Sequence, residues 1–508
     1  MKRCDVAIVG AGFGGSILAR ALHQRGLRVA LVERQQHPRF ALGESSTPLA
    51  ALSLERLADA YGLPDLRNLA SYGRWQRHLG DLGCGLKRGF TFYDHRHGDP
   101  RQRQRASFFV AASPDDAVAD SHWLRADVDH HLLRRAQAEG VDVRHPCEVQ
   151  SLAVGDEAVT LQLAAAGHSD GILECTLLVD ATGAGGLVQH HLTVPSGPLA
   201  RTRSSLLYAH FGDVGEWSGR TASPPYPPQR AAVHHLLAEG WVYELRFDDG
   251  RTSAGALLTQ PPDEPPAAAW RTLVGRYPAL AASFAGARPL MPLAARSPVQ
   301  HRLSRARGPR WVALPHTFGF IDPLFSTGIA WTLRGVERLA EVLSAGAARR
   351  HEEHSLARYE SLLERELEQI DALVAGAYAA MPDFELFCAY ASTYFAAVSW
   401  AEGRQRLLAP TEPMWEGFLG VGDDRLETLF DEARAALPPA PASPAAVAQY
   451  RDWIHSRIAS RDLAGLDRYG PQLAVPVDLD LLVDRAHLLG LDRATLRSRL
   501  PLLRGDSA

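Results

Sequence analysis

Lysine is almost missing from this chain. Of 508 residues, Lys plus Arg total 54, and only Lys2 and Lys87 are lysine, leaving 52 arginines. A lysine stranded on a solvated surface would explain Lys87 plainly. The setting argues for more, because Gly83, Cys84, Gly85, Leu86, Gly89 and Phe90 make its surroundings small and apolar. Burial can strip an ε-amine of its proton, whereas a guanidinium stays charged at any working pH. Cysteine is also scarce: Cys4, Cys84, Cys147, Cys175 and Cys388 are odd in number and widely spaced, which excludes a disulfide framework and a CxxC metal site. The pairs His130-His131, His190-His191 and His234-His235 lack ligand spacing, so no metal is expected and these histidines read as structural. An excess of basic charge is missing too, since the net charge is -4, and this argues against a nucleic-acid partner. No apolar run approaches the ~18 residues of a membrane span. Met1-Lys2-Arg3-Cys4 leads straight into a strand without the apolar core of a secretory signal, so the expectation is a cytoplasmic protein without a membrane partner.

What is present begins with size, which asks for two or three domains. Residues 5–33, DVAIVGAGFGGSILARALHQRGLRVALVE, carry the most specific pattern. Val6–Val9 reads as a buried strand; Gly10, Gly12 and Gly15 follow in GxGxxG spacing; then comes a helix with Ile17, Leu18, Ala21 and Leu22 inward. A second strand, Val29–Val32, ends in Glu33. The glycines let the backbone approach a pyrophosphate, the helix N-terminus attracts its charge, and Glu33 accepts from a ribose hydroxyl. This order of pieces means a dinucleotide site and leaves FAD and NAD both open. LLVDATGAGG, residues 177–186, is a further buried strand ending in Asp180, and it resembles the second flavin-binding element of FAD-dependent monooxygenases. No second GxGxxG follows a strand, so the chain offers one dinucleotide site, and reduced flavin would come from a separate flavin reductase.

Three further stretches, HPRFALGESSTP (37–48), CGLKRGF (84–90) and GFIDPLFSTGI (319–329), join the N-terminal fingerprint. Together they resemble the flavin-dependent halogenases of the tryptophan halogenase superfamily, most closely the branch acting on phenolic rings. The resemblance runs in motif order over residues 1 to about 345. It implies an α/β fold of the glutathione-reductase/monooxygenase type: a Rossmann-like FAD domain, a substrate-side β-sheet and a C-terminal helical region. GESSTP looks like the flavin strap, with Gly43, Glu44, Ser45 and Pro48 beside the isoalloxazine. Arg125 looks like the arginine that meets the flavin at a helix start. Asp322 and Pro323 would line the ribityl chain, and amides near Thr327 and Gly328 would hold chloride or bromide. Lys87 matches the lysine that stands between flavin and substrate. In that chemistry FADH2, O2 and halide yield hypohalous acid, which the lysine binds or converts to a haloamine before an electron-rich ring is halogenated. Where tryptophan-specific members carry a Glu that handles the arenium proton, this chain has Phe325, which favours a phenol as the aromatic substrate.

The pattern departs at WxWxIP, the family motif that walls flavin from substrate. Its best candidate is GWVYELRF, 240–247, which keeps Trp241 but has Tyr243, Leu245 and Arg246 in place of the second Trp, the Ile and the Pro. With Phe90 and Phe325, Trp241 and Tyr243 are the expected substrate-pocket residues. The eroded motif keeps a second reading open: an FAD monooxygenase or oxidase acting on an aromatic without halogenation. A discontinuous FAD domain is expected over 1–345, with its substrate-side sheet at about 190–290, and a helical domain over 346–508. FELFCAYASTYFAAVSWAEG, 384–403, is a source of aromatic walls, and LPPAPASPAAV, 437–447, reads as a linker.

Overall fold

The apolar run near the N-terminus forms the strand Lys2–Val9, flanked in parallel by Val29–Val32 and His168–Asp180. Asp142–Arg144 and Trp311–Ala313 extend this sheet in parallel at either side. Cys147–Val154 and Val159–Ala165 add an antiparallel pair to His168–Asp180. Parallel strands covered on both faces need apolar side chains throughout, and Val29–Val32 is buried at every position. The helix Phe13–Gln24 buries Ile17, Leu18, Ala21 and Leu22 and packs against the helix Thr327–Ser344. The computed structural model describes residues 2–503 apart from 104, 166–167, 199, 217–223, 346–348, 409 and 469–472.

The turn after the first strand is steric in origin. Gly10 has φ +108°, and a Cβ there would lie 2.4 Å from the Ala181 carbonyl oxygen. At Gly15 a Cβ would come within 2.0 Å of the Gly10 carbonyl oxygen. Both glycines let strand, turn and helix close on one another.

A second sheet stands over the C-terminal ends of the first. Its strands run Ser205–Gly212, Thr252–Leu258, Gly240–Arg246, Ala232–Leu236, Gly89–Asp94 and Ser107–Ala111, with Ala474–Val475 at the edge. The region 190–290 thus supplies four of these seven strands and three come from distant parts of the chain, while the short strands Arg288–Pro289 and Ala294–Arg296 complete the sheet beside Ser205–Gly212. A strand is expected at Gly240–Arg246, whereas the three distant strands are recruited by pairing, which composition does not reveal. Strand Gly240–Arg246 is covered on both faces: Trp241 and Tyr243 face the first sheet, while Val242 joins a separate apolar cluster with Trp270 and Leu280.

The helical end is dominated by Arg349–Ala380 and Phe384–Leu407, the second capped by Asp383, whose carboxylate accepts from the amides of Glu385 and Leu386. The proline-rich stretch 437–447 is only partly a linker, because Ser443 accepts from the Ala446 amide and Pro444 opens the helix Pro444–Ile458. A serine cap followed by proline at the first helical position starts a helix as readily as it ends a loop. Among the described residues, no helix is long and apolar enough to cross a membrane.

Candidate active site

A cavity of about 540 Å³ opens where the two sheets meet. Gly10, Gly12, Gly15 and Glu33 line it, together with Gly43, Glu44, Ser45 and Arg125 and, from the second sheet, Trp241 and Tyr243. Gly12 lines the cavity without a side chain of its own, with the ends of Arg125, Asp129 and Arg39 at ordinary contact distance from where a Cβ would stand. Glu33 is buried, which alone would raise its pKa; the nearby His37 ring, the Arg39 guanidinium and the amides of Gln35 and Ala11 outweigh that and hold it at about 2. The group is therefore a fixed anion suited to accept from hydroxyls. Asp180 does not line the cavity; it shapes its floor by accepting from the amides of Thr182 and Val188.

The 43–48 segment lies across this space and is tied down on both sides. Arg125 begins the helix Arg125–Ala138, grips Asp129 with two hydrogen bonds of 2.9 and 2.8 Å, and donates to the carbonyls of Leu42 and Gly43. Glu44 pairs with His210 Nε2 at 2.9 Å, linking the segment to the second sheet. Its backbone then runs beside the strand Asp120–Trp123: the Trp123 amide donates to the Glu44 carbonyl, and the Ser46 amide donates to that of Ser121. Pro48 stands outside the cavity, at the first position of the helix Pro48–Tyr61.

Phe320, Pro323, Ser326 and Gly328 all reach the cavity. Ser326, at φ 51° and ψ 32°, holds the left-handed conformation just before Thr327–Ser344, and no side chain caps that helix. A non-glycine residue in this region costs on the order of 1–3 kcal/mol and points to a functional turn. Free amides at the start of an 18-residue helix attract an anion. Thr327 is buried behind Gly328, and a Cβ at Gly328 would collide with His316 Nε2 at 2.6 Å. Asp322 turns away from the cavity: its carboxylate accepts from the Tyr378 and Ser204 hydroxyls and the Leu324 amide, and burial raises its pKa to about 7 against these partners. Tyr378 also accepts from Trp241 Nε1, at 3.0 Å. This knot joins the turn, the Trp241 strand and the helical end.

Lys87 ends the strand Cys84–Lys87 and is 0% exposed. Its Nζ donates to the Ser46 carbonyl at 2.6 Å and sits 4.2 Å from the centre of the Phe90 ring. Burial lowers its pKa, with Asp120 acting the other way. Phe90 in turn touches Phe395 and Tyr394 of the helix Phe384–Leu407, with centroids 5.4 and 6.1 Å away, and Tyr394 lies 4.6 Å from Phe325. Contrary to expectation, Lys87, Phe90 and Phe325 do not line the cavity: the two rings belong to a packed aromatic nest beside the lysine, while Trp241 and Tyr243 wall the cavity. The charge of Arg246 is accounted for, since it donates to the Val214 carbonyl and pairs with Glu244.

Sequence reasoning missed several residues: His190 and His191, read as structural, line the cavity, and two more histidines stand out. His234 is buried, lines the cavity and stacks on Phe92 at 4.7 Å. His316 reaches the cavity with Nε2 buried and unpartnered. Neither carries a motif; strand alternation could have aimed His234 opposite to His235, but not said at what.

The tryptophan halogenase family model matches residues 120–385, more than half of the chain, and an FAD-binding domain model matches residues 3–215. The tetracycline 7-halogenase of Kitasatospora aureofaciens is 28% identical over 406 residues, spanning 75% of this chain and 71% of that one. Monodechloroaminopyrrolnitrin halogenase PrnC of Pseudomonas fluorescens is 26% identical over 506 residues, 91% of this chain and 85% of that one. In fold, the chain is similar to halogenase PltM solved with phloroglucinol and FAD, at TM-score 0.80 and 24% identity, covering 93% of this chain and 99% of that one. The glycine turn, the place of Gly12 in the cavity lining and the fixed Glu33 anion fit the FAD that these matches imply. The chain belongs to the tryptophan halogenase family of flavin-dependent halogenases, enzymes of the oxidoreductase type, and FAD is its cofactor.

Proposed function

We propose that this protein is an FADH2-dependent halogenase that uses O2 and chloride or bromide and passes an electrophilic halogen by way of Lys87 to an electron-rich, phenolic ring. One observation carries the reading: the single lysine in the body of the chain is fully buried, and its amine lies between the carbonyl of Ser46, next to cavity-lining Ser45, and the ring of Phe90. The cofactor's part, when bound and reduced, is to activate O2 so that halide becomes hypohalous acid. The rest falls to the protein. Gly10, Gly12 and Gly15 admit the pyrophosphate, Glu33 takes a ribose hydroxyl, Asp180 supports the floor, and Arg125 holds Gly43, Glu44 and Ser45 against the flavin. Pro323 borders the ribityl chain, while Asp322 acts through the turn it stabilises. The amides at Thr327 and Gly328 hold the halide. Tyr243 keeps the bulk of the missing tryptophan, and with Trp241 it shields the flavin side from the aromatic nest around Phe90 and Phe325, which receives the substrate. Lys87 binds hypohalous acid and, as an ammonium acidified by burial, protonates the oxygen that leaves. Reduced flavin arrives from a separate reductase, and the five unpaired cysteines suit a cytoplasmic setting.

The test is turnover with a flavin reductase, NADH, chloride or bromide and a panel of phenols that includes phloroglucinol, read by mass spectrometry. Halogen isotope patterns are expected. Lys87→Ala and Lys87→Arg should each lower product by at least about 10²-fold while FAD binding is unchanged. Hydroxylated product formed without halide would favour the plain monooxygenase reading, and full activity in Lys87→Arg would remove the lysine from the mechanism.

A further inference from the structure

The strand paired with that of Lys87 carries a buried acid with one oxygen lacking a hydrogen-bond partner. Lys87 and Asp120 are directly opposed in the antiparallel pairing of Cys84–Lys87 with Asp120–Trp123, so their side chains leave on the same face. His122, two residues on, shares that face. Asp120 is 5% exposed, and its Oδ2 is buried without a hydrogen-bond partner; His122 is 0% exposed, and its Nδ1 is likewise unpartnered. A buried carboxylate oxygen left unpaired is costly, and native proteins keep one where it has work. The family's proton-handling Glu is absent here, because Phe325 stands in its place. Tyr394 connects the two positions: its ring lies against Phe325, its hydroxyl donates to the Phe325 carbonyl at 2.7 Å, and it feels the charge of Asp120.

We propose that Asp120 is the proton acceptor of the halogenation: its Oδ2 takes the proton from the ring carbon that has gained the halogen. The inference rests on the halogenase reading above and names the base that reading lacks. The ring carbon bonds to the halogen as the O–halogen bond of hypohalous acid breaks. The departing hydroxide takes a proton from the Lys87 ammonium and leaves as water. The C–H bond at the halogenated carbon then breaks, its electron pair restores the aromatic ring, and the proton goes to Asp120. Transfer of that proton from Asp120 to the Lys87 amine resets the pair. The sum is aromatic C–H plus hypohalous acid giving aromatic C–halogen plus water.

The surroundings suit the role. Burial raises the Asp120 carboxyl; Lys87 and Arg406 pull it down and Glu402 pushes it up, the last two from the helix Phe384–Leu407. Burial holds His122 and His234 well below the ordinary histidine range, so they stay neutral beside Lys87. Asp120 is thus the basic oxygen on the face it shares with Lys87 and His122, and a carboxylate of raised pKa is the better proton acceptor.

The experiment compares the enzyme with its Asp120→Asn and Asp120→Glu variants on phloroglucinol and ring-deuterated phloroglucinol, with flavin reductase and bromide. FAD binding is checked in each. Expected are a fall of about 10²-fold in Asp120→Asn, a rate in that variant lowered further by ring deuteration, and partial recovery in Asp120→Glu. If Asp120→Asn does not fold, the unaltered enzyme carries the test: acidification that protonates the carboxylate must bring out the same sensitivity to deuterium. A slowed variant indifferent to deuteration, or an unaltered enzyme indifferent at every pH, overturns the assignment, as a merely structural carboxylate would behave so. A full-rate Asp120→Asn enzyme overturns only this inference. No halogenated product from the unaltered enzyme overturns the halogenase reading as well.

Discussion

At the scale of single residues, the cost of the site is concentrated in Lys87 and Asp120. Both are buried, with no salt bridge of ordinary length between them, and burial disfavours the charged form of each. Groups kept in this condition serve activity at the expense of stability. The double variant Lys87→Met with Asp120→Asn should therefore be more stable than the natural chain at neutral pH by about 1–4 kcal/mol, seen as a higher urea midpoint. A midpoint equal to or below that of the natural chain would mean that the pair is structural. The same two groups give turnover a bell shape against pH. The acid limb follows protonation of Asp120, which burial moves upward, and the alkaline limb follows loss of the Lys87 proton, which burial moves downward. The bell should thus be narrower than free Asp and Lys would give.

At the scale of elements, three short segments meet around one space: the glycine turn, the 43–48 segment and the start of the helix Thr327–Ser344. The 43–48 segment is held by the side chains of Arg125, His210 and Lys87 as well as by backbone pairing, and the glycine turn by close backbone approach, so small changes in volume are felt. Gly328→Ala tests this, because the new methyl would meet His316 Nε2 at 2.6 Å and force either the ring or the helix start to move. The expected outcome is a rise of about tenfold or more in the halide concentration needed for half-maximal turnover, and adding His316→Ala should recover part of it. If His316→Ala restores nothing, the contact is not what limits halide binding.

At the scale of the molecule, the turn before Thr327–Ser344, the second sheet and the helical end share the knot of Asp322, Tyr378 and Trp241. Tyr378→Phe removes a donor to a buried carboxylate and leaves Trp241 Nε1 unpaired, a loss of about 1–3 kcal/mol at pH 8, where Asp322 is ionised. Its native pKa of about 7 lies above that of an unfolded aspartate, so the folded state binds the extra proton, and the burden on stability is lifted as pH falls below 7. The variant should accordingly lose less at pH 6 than at pH 8, by urea midpoints at each. Equal losses would show that the hydroxyl bonds only the indole with any strength.

Legibility followed the range of the forces. The strand, glycine turn, helix and acid of residues 5–33 could be read directly, since burial on both faces, positive φ and close backbone approach each admit few residue types. Lys87 could be singled out because it is the one lysine in the body of an arginine-rich chain, while its full burial is a finding of the structure. What the second sheet recruits from Gly89–Asp94, Ser107–Ala111 and Ala474–Val475 could not, nor could the turning of Asp322 away from the cavity. The placing of Asp120 opposite Lys87 was equally hidden, because strand register is set by which face finds a core, a property of the packed molecule. The sequence by itself determined which chemical groups this protein possesses and how its nucleotide turn must bend. Only the tertiary structure decided which of them share a sheltered face, because pairing between distant strands, and the desolvation that follows from it, exist only once the chain has closed on itself.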